Sequence, residues 1–196
     1  MSYKVFQALL DSADKIGLTD KYSAKSLSWF RSKAQNTKVT PTSIIRTAPN
    51  TVNRVDDLIG SMMLFGYNPK TKDNLPYYDI FPVVFITDVT ADGFTGLNLH
   101  YLPVKQRAQL MDALMQVAEG PEENKLELNY NLLKSLRSLK MFKPCYKRYL
   151  NNFTTTNYVP IDKEQWNIAM FLPLARFQKA SVTRIHKESL KKAANG

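Results

Sequence analysis

The apolar run Ile80-Phe81-Pro82-Val83-Val84-Phe85-Ile86, followed by Ala91-Asp92-Gly93, constrains this chain more than any other feature. A continuous apolar run of this length, closed by a glycine turn and answered by residues 94–101, reads as two antiparallel strands. The turn is assigned to a hairpin because glycine tolerates the positive φ that such turns favour. Pro82 has no amide hydrogen for a ladder, which places it at an edge or at the strand start. Upstream, Asn68-Pro69-Lys70 and the polar residues to Asn74 read as turn and loop, and residues 61–67 as a further strand. Three or four short strands within 58–102 predict a small antiparallel β-sheet or an SH3-like barrel.

The rest of the chain has helical period. Residues 2–16 place Tyr3, Phe6, Leu9, Leu10 and Ala13 on one face, and Gly17 stops the helix. Further helices are expected over 21–35, briefly around Ile44 and Ile45, from Pro103 onward, over 122–139, from Lys143-Pro144, from Asp162 through Trp166 toward Phe171, and over 181–194. The predicted fold is therefore α+β, mostly helical, one domain over 1–196, with the β subdomain 58–102 inserted between helical segments. At 196 residues the chain can bury a core of its own. No apolar run is long enough to span a bilayer, and residues 1–15 lack the pattern of a secretory signal. The lone Cys145 allows no intrachain disulfide and fits folding in a reducing cytoplasm.

Charge is unevenly distributed over the net +10. Residues 51–100 carry three basic and six acidic groups, whereas each of the other stretches is basic. No acidic residue occurs between Leu128 and Ile161, a window that holds Lys134, Arg137, Lys140, Lys143, Lys147 and Arg148 among aromatics such as Tyr146 and Tyr149. A second acid-free window, 21–55, carries Arg31 and Lys33 beside Trp29. Lysine and arginine neutralise phosphates, and aromatic faces stack on bases. These cations are the candidate nucleic-acid contacts, and Trp29, Tyr77, Tyr78 and Tyr146 the candidate stacking or docking aromatics. The same residues have plainer readings. Tyr146, Tyr149 and Phe153 at helical spacing make a core stripe, and Lys134, Arg137 and Lys140 share one helix face that is basic or simply solvated. An acidic protein surface would suit them as well.

Catalytic patterns are missing. His100 and His186 stand apart from each other, and two histidines with one cysteine do not form a zinc site. There is no glycine-rich phosphate loop and no nucleophile elbow. His100 reads as a structural histidine and Asp79 as an acceptor anchoring its own loop. No enzyme, metal, cofactor, membrane or small-molecule substrate is expected.

Several segments carry a resemblance: Tyr67-Asn68-Pro69-Lys70, Leu75-Pro76-Tyr77-Tyr78-Asp79, Phe81-Pro82 and Gly96-Leu97-Asn98-Leu99-His100-Tyr101-Leu102-Pro103, with Ser28-Trp29-Phe30-Arg31 before them and Lys143-Pro144-Cys145-Tyr146-Lys147-Arg148-Tyr149-Leu150, Trp166 and Phe171-Leu172-Pro173 after. Together they resemble the DNA end protector family of T-even-like contractile-tailed bacteriophages. The resemblance implies a virion protein, made in the host cytoplasm, that sits on the ends of packaged double-stranded DNA and sterically shields them from host exonuclease. It transfers no catalytic residue. The alternative is a structural component of the phage neck, tail or baseplate. It would act through contacts with other virion proteins, with the aromatic segment Leu75-Pro76-Tyr77-Tyr78-Asp79-Ile80-Phe81-Pro82 as docking surface.

Overall fold

A computed structural model describes residues 4–20, 23–55, 58–118 and 125–195; within these, side chains are described except at 4, 115–118 and 125–130. Two short helices open the fold, α1 (Lys4–Lys15) and α2 (Ala24–Gln35). Gly17 ends the first at φ +76°, and the Leu18 amide donates back to Ala13 O. The Ser23 hydroxyl caps α2 by accepting from the Ser26 amide. Helix α3 (Pro41–Thr47) follows, with Thr40 and Ser43 forming a reciprocal capping box and Pro41 in the first turn.

The sheet is antiparallel throughout, and its strands come from two distant parts of the chain. They are β1 (Met62–Leu64), β3 (Val83–Thr90), β4 (Gly93–Asn98), β5 (Tyr146–Leu150) and β6 (Val159–Ile161), in the order β5-β4-β3-β1-β6. A separate ribbon pairs β2 (Tyr78–Asp79) with β7 (Phe177–Gln178). Helices α4 (Val104–Ala118), α5 (Lys125–Leu136), α6 (Trp166–Ala169) and α7 (Val182–Asn195) complete the α+β architecture. The strand around Pro82 starts one residue later, at Val83. No helix among the described residues is long and apolar enough to cross a membrane.

Alternation along the strands builds two cores. Met62, Leu64, Val83, Phe85 and Leu97 face the helices, with Phe30, Leu110, Leu114 and Trp166 among their neighbours. Met63, Phe65, Val84, Ile86, Phe94, Tyr149 and Tyr158 face the other way into a smaller aromatic cluster. There Phe65 meets Phe94, Tyr149 and Tyr158 edge-on at 5.1–5.5 Å, geometry that suits the ring quadrupoles.

Three local expectations change. Two of the five sheet strands, β5 and β6, lie outside 58–102, so the sheet is not built from that segment alone. Tyr146 and Tyr149 belong to a strand rather than a helical stripe: three residues apart, they point to opposite faces, Tyr146 toward the helical core and Tyr149 into the aromatic cluster. Helix α5 ends at Leu136, so Arg137 and Lys140 lie in the turns beyond it and do not extend a stripe with Lys134.

The glycine in the β3–β4 turn is required for a different reason than positive φ. Neither Ala91, Asp92 nor Gly93 takes one. A Cβ on Gly93 would instead lie 1.9 Å from the Tyr149 carbonyl oxygen, because β5 runs directly against it. Gly93→Ala is therefore expected to cost at least ~2 kcal/mol, since the clash is with backbone. For a domain of this size that is a fall of about 4–8 °C in the circular-dichroism melting midpoint, and an unchanged midpoint would refute the close approach.

Candidate nucleic-acid interface

One cavity of about 550 Å³ opens where β2, β5, the loop 69–76 and helix α7 meet. Its walls carry four cations, Lys70, Lys147, Arg148 and Lys192, and five tyrosines, Tyr67, Tyr77, Tyr78, Tyr101 and Tyr149. Asp79, Asp92 and Asn98 also reach it. The sequence segregates acidic and basic stretches, but folding interleaves them here. The segment 58–102 supplies most of the walls, and the basic regions supply three of the four cations.

A buried polar network stiffens the floor. The Asp79 side chain is 1% exposed and accepts from His100 Nδ1 at 2.6 Å and from Asn98 Nδ2 at 3.2 Å through Oδ2, while Oδ1 accepts the Phe81 amide at 3.1 Å. Asn98 Nδ2 also donates to the Tyr149 hydroxyl at 3.0 Å, and Asn98 Oδ1 takes the His100 amide. Behind it, buried Arg107 donates to the carbonyls of Leu102, Met170 and His100, and His186 Nε2 on α7 donates to His100 O at 3.0 Å. Burial pulls the Arg107 pKa down to about 10, still well above neutrality. Asp79 thus anchors its loop as expected, and His100 is structural. Sequence could not show that the two are each other's partners.

The rim is held as firmly. Lys179, at φ +67°, sends its ammonium to the carbonyl oxygens of Lys72, Asp73 and Leu75 at 2.6, 3.0 and 3.1 Å, pinning the loop 69–76. Three tyrosine hydroxyls are committed. Tyr67 OH accepts the Leu150 amide, Tyr149 OH accepts from Asn98, and Tyr77 OH bonds Glu188 of α7. Burial and that bond push Tyr77 up to about 12, so its phenol stays neutral.

The cations divide into paired and unpaired. Arg148 Nη2 donates to both oxygens of Asp92 at 2.9 Å, which lowers the Asp92 pKa, but both side chains are more than half exposed and such pairs are weak. Lys70, Lys147 and Lys192 make no ion pair with a carboxylate among the described residues. Lys147 is half-buried with its Nζ 4.2 Å from the centre of the Tyr101 ring. Desolvation lowers its pKa, and the charge of Lys192 lowers it further. Two cations held near each other, neither in a close ion pair among the described residues, leave room for an added anion.

Of the residues singled out from sequence, Lys147, Arg148, Tyr77 and Tyr78 come together in this cavity. Lys134, Arg137, Lys140 and Lys143 are exposed but lie outside it, with Arg137 near Asp88 at 3.4 Å. Tyr146 is half-buried, and its hydroxyl donates to Leu133 O. On α2, Arg31 bridges Asp112 of α4 at 2.5 Å and Asn167 of α6, and lies over Phe171, so it clips helices together. Lys33 sits 5.9 Å from the Trp29 ring centre. The cavity also uses Tyr149 from the acid-free window, and residues the charge pattern does not isolate: Lys70, Lys192, Tyr67 and Tyr101. Lys70 and Tyr67 sit in Tyr67-Asn68-Pro69-Lys70, one of the segments carrying the resemblance, and Lys192 lies on the basic helix expected over 181–194.

No curated protein and no solved structure matches the chain. A family model described as phage T4 terminal DNA protecting protein matches residues 17–191, a span that contains the whole cavity wall except Lys192. The chain therefore belongs to the phage T4 terminal DNA protecting protein family.

Proposed function

We propose that this protein sits in the virion on the ends of packaged double-stranded DNA and shields them sterically from host exonuclease. The observation that carries the reading is the cavity itself. It gathers four cations and five tyrosines, three of the cations without a carboxylate partner among the described residues, in a chain of this family. Cations neutralise the phosphates and release counterions, and Tyr78, the least buried of the five rings, offers a face to an exposed base. Occupying the end denies an exonuclease its starting point, so the protein needs no chemistry of its own. The aromatic segment 75–82 is turned inward, with Tyr77 buried and Tyr78 and Phe81 half-buried, which favours DNA binding over a docking role for that segment.

The test is protection of end-labelled linear duplex from a processive exonuclease, with unlabelled competitors. Linear duplex is expected to compete and nicked circular duplex to compete far more weakly, with affinity falling by roughly one log unit per log unit of salt for each phosphate neutralised. Equal competition by the two DNA forms would overturn end recognition.

A further inference from the structure

We infer that the cavity seats a single unstacked terminal deoxynucleotide with its phosphate, so that the protein takes hold of a frayed strand end rather than an intact terminal base pair. This rests on the end-binding reading above and specifies its ligand.

Size is the first argument. A space of about 550 Å³ falls within the ~300–1,000 Å³ typical of small-ligand pockets. One nucleotide enters such a space, and two paired strands with their stacked neighbours do not. Preorganisation is the second. The hydroxyls of Tyr67, Tyr77 and Tyr149 are each tied to a protein partner, which holds these largely buried rings in place behind the half-buried Tyr78. A base laid against the Tyr78 ring gains stacking whatever its identity.

Polar chemistry agrees. Asn98 is the buried amide at the cavity floor, and its groups are already engaged by Asp79, Tyr149 and the His100 amide. Both Nδ2 hydrogens are taken and the side chain is fully buried, so Asn98 offers no donor to a base edge. Charge supplies the complement. Lys147 and Lys192 repel each other across the cavity, and a phosphate between them offsets that repulsion. Arg148 can exchange its exposed Asp92 partner for the same phosphate. Extruding a base from a stack has a cost, and that cost is least for a base that is unpaired or easily unpaired, as at a terminus.

The experiment varies the DNA and leaves the whole protein unchanged. Four linear duplexes are compared by equilibrium competition: a blunt 5′-phosphorylated end, the same end with an interstrand cross-link in the terminal base pair, the same cross-link placed internally, and a one-nucleotide overhang. Locking the terminal pair is expected to weaken binding about tenfold or more, the loss of one stacked base. The internal cross-link should change nothing, and the overhang should bind at least as well as the blunt end. The four deoxynucleoside 5′-monophosphates should compete with similar strength. If the terminally cross-linked duplex binds as well as the free one, or if the internal cross-link weakens binding equally, the nucleotide seat is wrong while end recognition stands. If linear DNA has no advantage over nicked circles, the end-binding reading falls and takes this inference with it.

Discussion

Replacing Lys147 and Lys192 together with glutamine is expected to weaken binding to linear duplex ends by about a hundredfold or more, since each charge-assisted hydrogen bond is worth ~1.5–3 kcal/mol. The same double variant should reduce the slope of log affinity against log salt by about two. Its fold should survive. Removing Lys147 forfeits a cation–π contact with Tyr101, worth ~0.5–1 kcal/mol when partly exposed, and removing both charges abolishes their mutual repulsion, so the two effects oppose. A pH titration adds an independent readout. The Lys147 pKa is lowered in the free protein, and a bound phosphate raises it. Binding is thus fully present below the free-state pKa and declines as pH rises through it, at a pH below the ordinary lysine value of 10.5. The variant should lack that alkaline loss. Wild-type affinity in Lys147→Gln/Lys192→Gln would show that the phosphate grip lies elsewhere, for instance on Lys134, Lys140 and Lys143.

Asp79→Ala addresses the floor rather than the grip. Three donors lose their acceptor at once: His100 Nδ1, Asn98 Nδ2 and the Phe81 amide. Breaking a buried pair by deleting one partner costs ~3–5 kcal/mol. A domain of this size would then melt roughly 6–20 °C lower, a large part of a total stability of ~5–15 kcal/mol. Asp79→Asn keeps an acceptor for the Phe81 amide, so it should lose less, ~1–3 kcal/mol. Thermal melts followed by near-ultraviolet circular dichroism report this directly, because Tyr149 hangs on the same network through Asn98. A loss under ~1 kcal/mol for the alanine variant would mean that the pair is open to water.

Local chemistry made much of this fold readable. Gly17, Pro41, Pro82 and Pro103 punctuate the chain where the structure starts or stops elements, because each acts through its own φ or its missing amide hydrogen. The strand over 83–90 was visible as an apolar run. Strand β5 was not. In five residues a period of two and a period of 3.6 are hard to tell apart, and Tyr146 and Tyr149 fit a helical stripe until pairing with β4 decides otherwise. The cavity was half legible for the same reason. Lys147, Arg148, Tyr77 and Tyr78 stood out by composition, whereas Lys70, Lys192 and Tyr101 join them only through the sheet and the docking of α7. The Asp79–His100 contact spans twenty-one residues, beyond any helix or strand period.

The strand order carries a consequence for how the molecule is made. Strand β1 lies between β3 and β6, with Met62 opposite both Phe85 and Ile161, so one of its edges is covered by a strand that follows closely in the chain and the other by one 99 residues beyond Met62 (161 − 62). During synthesis β1, β3 and β4 emerge early, yet β1 keeps one open hydrophobic edge until residue 161 has left the ribosome. Long-range pairing of this kind slows folding, and an open edge invites strands from other chains. The stretch made in that interval includes Lys134, Arg137, Lys140, Lys143, Lys147 and Arg148, whose like charges keep nascent chains apart. The basic run would then guard the protein's own assembly before any of it meets DNA.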